Sequence, residues 1–333
     1  MKAIYLEDIN KPFELIETPR PEAGPGEVVV QVKAAALNHR DVWIQQGRYF
    51  IKEYPAILGS DGAGIVTEVG EGVTEDWLGQ QVLIDPTTDW GDRHNVQAAD
   101  FKVLGMPEAG TFAEFVKVKA ANLHPKPEHL TFEEAAALPL AGVTGYRAMF
   151  TKCGLQPGER VLITGAGGGV ALLAVQFAVA TGAEAWVTSG SEEKIAKAIA
   201  LGAAGGISYK QENWGKELKK AATGFDVVLD AAGGEGFAQL LKLAKPGGRI
   251  AVYGGTTGLI QLVNPADIFW KQLSIFGSTM GTASDFANMV QLVRDKQLKP
   301  VIDKIFPLEE TEQAMRYMEA GKQFGKIIVK VGE

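Results

Sequence analysis

The sequence predicts an α/β protein in which a doubly wound parallel sheet interrupts a β-rich domain. Two patterns along the chain lead to this fold class. Before residue 130, short apolar and β-branched runs are separated by Gly and Pro, and long helical periodicity is scarce. From residue 160, apolar strands alternate with helical segments, which is typical of βαβ crossovers in a parallel sheet. Such a sheet is complete near residue 278, so the rest of the chain is expected to rejoin the β-rich domain.

The β-rich part is predicted from short runs bounded by turn residues: KAIYLE, FELIETP, GEVVVQVKAAAL, GIVTEV, QQVLI and AEFVKV. The segment HPKPEH at 124–129 carries two prolines and indicates a domain boundary. Thr131 and Glu134 then form a predicted capping box at the start of an Ala-rich helix. We therefore predict one domain from residues 1–127 and 280–333, and a second domain from residues 128–279.

In the second domain, the strand RVLITG precedes a helix from 169 to about 181. The strand EAWVTS precedes the helix SEEKIAKAIAL, for which Gly202 is a plausible C-cap. The runs DVVLDA, RIAVYG and SIFGST continue the alternation. These strands are nearly all apolar, as expected for a parallel sheet that is covered by helices on both faces.

Composition restricts the class of protein. The 333 residues are 46% hydrophobic and 22% charged, with a net charge of −7, so a nucleic-acid partner is not expected. The single cysteine, Cys153, excludes a disulfide framework and a cysteine-based zinc cluster within one chain, and we interpret it as a small core residue. The N-terminus has no signal-peptide pattern, and the uncharged stretch from Gly165 to Gly182 is interpreted as a buried helix rather than a membrane span. A cytoplasmic protein without a membrane partner is therefore expected.

The glycine-rich turn after the first strand of the sheet is the most informative segment. Its spacing of Gly165, Gly168 and Ala171 suits a tight turn, a bare backbone and close contact between helix and strand. The following helix offers free N–H groups and a positive dipole end to a pyrophosphate. A plain strand–helix turn is the alternative, but the alternating context favours dinucleotide binding. The predicted cofactor contacts in this turn are Gly165, Ala166, Gly167, Gly168, Gly169 and Val170.

Several motifs together resemble the medium-chain dehydrogenase/reductase superfamily, in its zinc-free, quinone oxidoreductase-like branch. The motifs are ALNHRDVWIQQGRY, YPAILGSDGAGIVTEVGEGV, GTFAEFV, AAALPLAGVTGYRAM, GERVLITGAGGGVALLAVQFA and GKIIVKV, and they extend over nearly the whole chain. The resemblance implies a Rossmann doubly wound parallel sheet inserted in a β-rich GroES-like catalytic domain, with the active-site cleft between them.

The resemblance also bears on metal binding. Zinc enzymes of the superfamily place catalytic zinc ligands at the positions that Asn38, Ser60 and Leu140 occupy here. Those enzymes also have a lobe of four cysteines that binds a structural zinc. In this chain, the segment TTDWGDRHNVQAADFKVLG, which has no cysteine, takes the place of that lobe. Amide, hydroxyl and isobutyl groups do not replace thiolate and imidazole ligands. A residual site from His39, Asp41 and Asp61 lacks the spacing of a zinc ligand set. We therefore predict a protein without a metal.

Without a Lewis acid, reduction of a polarised C=C bond or a quinone is favoured over alcohol oxidation. The protein must then stabilise an enolate-like or phenolate-like oxygen. The resemblance implies Asn38, Tyr49 and Thr144 as candidate donors, although Tyr49 is equally well explained as a half-buried aromatic of the barrel. Asp41 is interpreted as a residue that orients neighbouring backbone.

The cofactor is predicted to be NADP(H). NAD-binding domains place a carboxylate at the end of the second strand, but this chain has Ser189 there, which can donate to a 2′-phosphate. Ser191 and Lys194 follow, and the alternative is that they are only an N-cap and a solvated charge. By resemblance, Tyr209 flanks the adenosine ribose. Ala231, Tyr253 and Gly254 are the remaining predicted cofactor contacts.

These inferences predict an NADPH-dependent oxidoreductase that transfers hydride to a quinone or an α,β-unsaturated carbonyl without a metal. The alternatives are a residual alcohol dehydrogenase and a non-catalytic NADPH-binding protein. A homodimer or homotetramer is also expected, because the apolar run LSIFGS forms an edge strand that should not face water. The alternative is that another segment of the same chain covers this edge strand.

Overall fold

The computed structural model of the protein describes residues 1–50 and 52–332. Its contacts define two compact units. The first unit consists of Met1–Ala141 together with the chain from Gly281 onward, and the second consists of Gly142–Met280. Both ends of the chain therefore contribute to the first unit, and the second unit is an insertion within it.

The strands follow the two units in order. The first unit contains β1 (Lys2–Leu6), β2 (Phe13–Glu17), β3 (Glu27–Ala36), β4 (Ala56–Ile57), β5 (Asp61–Val69), β6 (Gln81–Ile84), β7 (Thr87–Thr88), β8 (Lys102–Val103), β9 (Phe115–Lys119) and β10 (Leu123–Pro125). The second unit contains β11 (Arg160–Ile163), β12 (Glu184–Ser189), β13 (Gly205–Ser208), β14 (Phe225–Asp230), β15 (Ala244–Val252) and β16 (Ser274–Gly277). Strands β17 (Ile302–Pro307) and β18 (Lys326–Lys330) return to the first unit.

The α-helices are α1 (His39–Gln45), α2 (Phe132–Ala136), α3 (Pro139–Tyr146), α4 (Gly169–Ala180), α5 (Glu192–Ala200), α6 (Trp214–Ala222), α7 (Phe237–Leu243), α8 (Pro265–Phe269), α9 (Ala283–Asp295) and α10 (Thr311–Glu319). Short 3₁₀ helices span Glu75–Trp77, Ala120–Asn122 and Leu308–Glu310, and a π-helix spans Arg147–Lys152. Within residues 1–50 and 52–332, no helix combines the length and apolar character needed to cross a bilayer.

The first unit is built around a seven-stranded sheet in the order β10-β6-β5-β3-β18-β17, with β9 also paired to β3. A three-stranded sheet, β2-β1-β4, and a short β7–β8 pair complete its strands. The C-terminal strand β18 pairs antiparallel with β3, with Ile328 opposite Ala36. The end of the chain is thereby built into the N-terminal sheet, which explains why the apolar strand KIIVK is almost entirely buried.

The second unit has a six-stranded parallel sheet in the order β13-β12-β11-β14-β15-β16. This is the doubly wound order, so the predicted fold class is confirmed. Helix α4 begins at Gly169 and ends at Ala180, close to the predicted range of 169 to about 181. Cys153 is buried as expected, and burial raises the pKa of its thiol to about 12, so it remains a protonated core residue.

The first break between the units lies at residue 141, whereas the sequence placed it at 127. The predicted capping box forms, because the Thr131 hydroxyl accepts from the Glu134 N–H and the Glu134 carboxylate accepts from the Thr131 N–H. The helix it caps, α2, packs on β3 and β5 of the first unit. Pro139 then starts a separate helix, so the Ala-rich segment is divided rather than continuous.

One buried carboxylate, Asp85, lies just after β6 in the first unit. It accepts the Thr87 N–H at 2.9 Å but has no ion-pair partner among the described residues. Burial, with a smaller contribution from the charge of Asp285, raises its pKa to about 7. Because the folded-state pKa exceeds that of the unfolded chain, the folded protein binds more protons between these two values, and its stability falls as the pH rises.

We predict that Asp85→Asn becomes progressively more stable than the wild type as the pH rises from 4 to 8. The difference in unfolding free energy should grow by about 4 kcal/mol at most, from a pKa difference of about three units. Urea denaturation at several pH values measures it, with the exposed Asp92→Asn as the matched control. A difference that does not depend on pH would show that Asp85 is not titrating in this range.

Candidate functional site

The glycine turn of the second unit joins β11 to α4 and has an open backbone. Gly165 and Gly167 adopt φ values of +75° and +125°, which side chains rarely tolerate. A Cβ at Gly165 would meet no atom within 4 Å, so the backbone there faces open space. Gly168 is the N-cap of α4 and has no side chain to occupy the first N–H groups of the helix. The turn therefore fits a pyrophosphate bound at the helix N-terminus.

Two serines lie at the end of β12, where the sequence predicts recognition of the ribose. Both of their hydroxyls are hydrogen-bonded to backbone groups of the protein. The buried Ser189 hydroxyl donates to the Ala166 carbonyl at 3.0 Å, and it thereby joins the strand to the glycine turn. The Ser191 hydroxyl accepts the Lys194 N–H at 3.3 Å and is the N-cap of α5. In this arrangement, the proton of Ser189 is already committed to a protein acceptor.

Cationic and phenolic side chains surround the same strand end. Lys194 extends over the glycine turn, since a Cβ at Gly167 would lie 3.3 Å from its Nζ atom. The Tyr209 hydroxyl and the Lys210 Cε atom lie 2.7 and 3.1 Å from the corresponding position on Gly190. Lys210 was not among the predicted cofactor contacts, although it directly follows Tyr209 in ISYK.

The remaining predicted cofactor contacts meet at the carboxyl ends of β14 and β15. A Cβ at Gly254 would lie only 2.8 Å from the Ala231 carbonyl oxygen, so the two backbones touch. The Tyr253 N–H donates to the carbonyl of Asp230, and the Asp230 carboxylate accepts the hydroxyl of Thr164 at 2.8 Å. The hydroxyl of Tyr253 has no partner among the described residues, and burial raises its pKa. These contacts connect the ends of β11, β14 and β15.

In the first unit, a buried ion pair lies where three strand ends meet. The Lys326 ammonium is 2.8 Å from the Asp61 carboxylate, and both side chains are almost completely buried. Lys326 also donates to the Leu37 carbonyl and to the Asn38 side-chain oxygen, at 2.8 and 2.7 Å. Asn38 in turn donates to Asp61 at 2.9 Å. Both ends of the Asn38 amide are therefore bound within the protein.

The guanidinium of Arg40 is also buried, and it contacts Ser60, the residue that precedes Asp61. Arg40 donates through Nη1 to the Ser60 hydroxyl at 2.5 Å and to the Leu104 carbonyl at 3.0 Å. The Ser60 hydroxyl itself donates to the same carbonyl at 2.7 Å. The ring of Tyr49 covers the guanidinium, with 4.9 Å between Cζ and the ring centroid. Ser60 therefore holds an arginine.

Asp41 is completely buried beside these groups. One of its oxygens accepts the Asn38 N–H at 2.8 Å, which is the backbone-orienting contact that the sequence suggested. The other oxygen, Oδ1, has no partner among the described residues. Burial raises the pKa of Asp41 to about 6, against the opposing effect of the Arg40 charge.

The candidate donors are distributed between the units. Asn38 and Tyr49 belong to the first unit, and Tyr49 packs on its hydrophobic core. Thr144 is buried on α3 within the second unit. Arg40 and Lys326 were not predicted as site residues, because neither occupies a position at which zinc relatives carry a ligand.

The residues at the predicted ligand positions do not fit zinc. Asn38 and Ser60 are engaged as described above, and Leu140 contributes only its backbone N–H, which donates to Asp61 at 2.7 Å. Over the described part of the chain, no group of three or more His, Cys, Asp or Glu side chains is arranged to hold a metal ion. An amide, a hydroxyl and an alkyl group are not a zinc ligand set.

Comparison with known proteins gives a consistent assignment. Residues 24–128 match the alcohol dehydrogenase GroES-like domain, and residues 169–295 match the zinc-binding dehydrogenase family. A zinc-type alcohol dehydrogenase-like protein from Leptosphaeria maculans is 35% identical over 96% of this chain and 95% of its own length. An acryloyl-coenzyme A reductase from Sulfurisphaera tokodaii is 32% identical over 99% of this chain and all of its own. The crystal structure of an NAD-dependent alcohol dehydrogenase superposes with a TM-score of 0.94, at 38% identity over the whole of both chains.

The fold and the dinucleotide cradle define an NAD(P)H-dependent oxidoreductase. The matches to both domain families and to full-length relatives show that the chain belongs to the medium-chain dehydrogenase/reductase superfamily. The resemblance to this superfamily, which the sequence motifs indicated, is thereby confirmed.

We predict that Lys326→Met destabilises the protein by about 3–5 kcal/mol, because Asp61 would remain as a buried and unpaired charge. Adding Asp61→Asn should recover part of this loss, since the remaining group is then neutral. Urea denaturation measures both effects. The matched control is Lys117→Met, which removes a partly exposed ion pair with Glu27 and should change stability little. Equal losses for the Lys326 and Lys117 variants would contradict the role assigned to the buried pair.

Proposed function

We propose that the protein transfers hydride from NADPH to an α,β-unsaturated carbonyl compound or a quinone, without a metal. The observation that carries this proposal is the hydrogen bonding of the Asn38 and Ser60 side chains. Both occupy positions that zinc relatives use for ligands, and here both bind buried cations of the protein. Such a site has fixed positive charge but no Lewis acid. The similarity to an acryloyl-coenzyme A reductase supports an activated C=C bond as the target.

The cofactor, when bound, supplies the hydride. The glycine turn and the N-terminus of α4 would hold its pyrophosphate. Addition of hydride to the β-carbon of an enone breaks the C=C π-bond, and the electron pair moves through the α-carbon to the carbonyl oxygen. The resulting enolate takes a proton from water at the α-carbon, which gives the saturated carbonyl compound and NADP⁺. The protein is required to stabilise that oxygen while it is anionic.

A residual alcohol dehydrogenase is the second candidate. The similarity to an NAD-dependent alcohol dehydrogenase over the whole chain favours it. It would need a group that stabilises an alkoxide, a role that zinc fills in enzymes that carry a catalytic metal. The non-catalytic alternative has no comparable observation in its favour.

We expect the purified protein to oxidise NADPH with an enone, an enoyl thioester or a quinone, and not to reduce NADP⁺ with secondary alcohols. The absorbance of the reduced nicotinamide measures both the oxidation of NADPH and the reduction of NADP⁺. Elemental analysis of the same sample gives its zinc content. Alcohol-dependent reduction that requires zinc would support the second candidate. Cofactor binding without turnover on any acceptor would support the non-catalytic alternative.

The preference for NADPH is proposed from the charge at the end of β12. No carboxylate occupies that strand end, and Lys194, Lys210 and Tyr209 lie around Gly190 and the glycine turn. Two ammonium groups favour a 2′-phosphate over a hydroxyl. Because Ser189 donates to Ala166, the lysines rather than the serine are proposed as the discriminating contacts.

We predict that Lys194→Ala weakens NADPH binding by about 1.5–3 kcal/mol and leaves NADH binding nearly unchanged, which is the range for a charge-assisted hydrogen bond. Lys197→Ala is the matched control, because Lys197 lies on the same helix and pairs with Glu193 at 2.7 Å. Fluorescence titration with both cofactors decides the point. Equal wild-type affinities for NADH and NADPH would reject the assignment.

A homodimer or larger homo-oligomer is proposed from the edge of the second sheet. Strand β16 is one of the two edge strands of this sheet, and the Ile275 side chain on it is exposed. Several large apolar residues in the preceding segment are exposed as well: Leu259, Ile260, Leu262, Phe269 and Trp270. An apolar edge of this kind is normally covered by pairing with another strand.

We predict that Ile275→Lys converts the oligomer to a monomer, because it places a charge within the proposed contact. Light scattering after size-exclusion chromatography measures the mass. Ile305→Lys is the matched control, since Ile305 is an exposed isoleucine on the edge strand β17 of the first unit. A wild type that is already monomeric at micromolar concentration would contradict the proposal.

A further inference from the structure

The guanidinium of Arg40 is bound on one side only. Its Nη1 atom is held by Ser60 and Leu104, but its Nε and Nη2 atoms are buried and have no hydrogen-bond partner among the described residues. No carboxylate of the described chain lies within ion-pair distance of it. A buried cation with two unused donors is costly to the fold. The arrangement is therefore expected to serve a ligand.

The unused atoms form one edge of the guanidinium. Nε–H and one Nη2–H point in nearly parallel directions, and this fork matches an anionic oxygen or a carboxylate. The opposite edge is fixed by two short contacts, and the Tyr49 ring lies over one face. The free edge is thus held in a defined orientation in the absence of any ligand, which is the preorganisation that oxyanion stabilisation requires.

Asn38, one of the donors that the resemblance implies, is less suited to this task. Its side-chain oxygen accepts from Lys326, and its nitrogen donates to Asp61. Arg40 has two unused donors on a full positive charge, whereas Asn38 has at most one unused N–H on a neutral amide. The Lys326 ammonium is also engaged, by three acceptors.

We propose that Arg40 is the electrophilic catalytic residue, and that its Nε–Nη2 edge binds the substrate's carbonyl oxygen as it becomes an enolate. This inference rests on the proposed function, because hydride addition to the β-carbon is what places the electron pair on that oxygen. Ser60 and Leu104 are positioning groups that fix the guanidinium. Because Nε and Nη2 are buried among the described residues, substrate binding requires a local movement of the groups that cover this edge.

The kinetic test uses Arg40→Met and Arg40→Lys on the full-length protein with an enone and NADPH. We expect kcat to fall by about 100-fold or more in Arg40→Met, which is typical of losing an oxyanion donor. Arg40→Lys should recover only part of this loss, because an ammonium lacks the fork. NADPH affinity and the thermal midpoint report on folding, and the exposed Arg93→Met is the control. A kcat within threefold of the wild type in a folded Arg40→Met would overturn the assignment.

A binding test does not depend on turnover. 4-Nitrophenolate presents an anionic phenolate oxygen, and 4-nitroanisole has the same ring and nitro group but a neutral ether oxygen in its place. We expect Arg40→Met to weaken phenolate binding at least tenfold and to leave anisole binding unchanged. If the wild type reduces no acceptor but shows this phenolate selectivity, the proposed function fails while the anion site stands. If phenolate binding does not respond to Arg40, or responds while kcat stays unchanged, Arg40 is not the electrophile.

Discussion

The buried pair of Lys326 and Asp61 is the interaction on which the first unit depends. Lys326 begins β18, Asp61 begins β5, and the Leu37 carbonyl that Lys326 also binds follows the end of β3. One ammonium thus joins the two ends of the chain at the centre of the seven-stranded sheet. Burying a charge is costly unless it is paired and hydrogen-bonded, and both conditions are met for Lys326 and Asp61. The pair lies at the ends of β18 and β5, next to the backbone pairing of β18 with β3, and both of its members bind the Asn38 side chain.

The same constraint determines what chemistry the site can perform. Asp61 and Lys326 occupy both ends of Asn38, while Ser60 and the Leu104 carbonyl hold Arg40. Two polar side chains at the ligand positions of zinc relatives are therefore used to fix cations that belong to the protein. Fixed cations can stabilise a developing oxyanion, but they do not coordinate an alkoxide as zinc does. The proposal of metal-free reduction rests on the presence of the Lys326 and Arg40 cations where zinc relatives have a metal ion.

The second unit was largely predictable because its determinants are local. Apolar runs of strand length, helices between them and glycines at the first turn all lie within a few residues of the structure they encode. The turn could be located because glycines cluster directly after the strand RVLIT, and the positive φ values of Gly165 and Gly167 explain why glycine is needed there.

The polar contacts of the first unit were not predictable in the same way. Lys326 meets Asn38 across 288 positions of sequence, and Arg40 meets Leu104 across 64. No periodicity or spacing rule reports such pairs. Ser189 shows the same limit on a smaller scale, because its commitment to Ala166 depends on the parallel register of β11 and β12.

The central claim is that fixed protein cations, and not a metal, support the reaction. The most direct test is the rate of enone reduction in samples of measured zinc content, from the protein as purified to protein exhaustively treated with a chelator. This account predicts that specific activity stays constant while zinc falls far below one ion per chain. Activity that declines in proportion to zinc, and returns when zinc is restored, would contradict it.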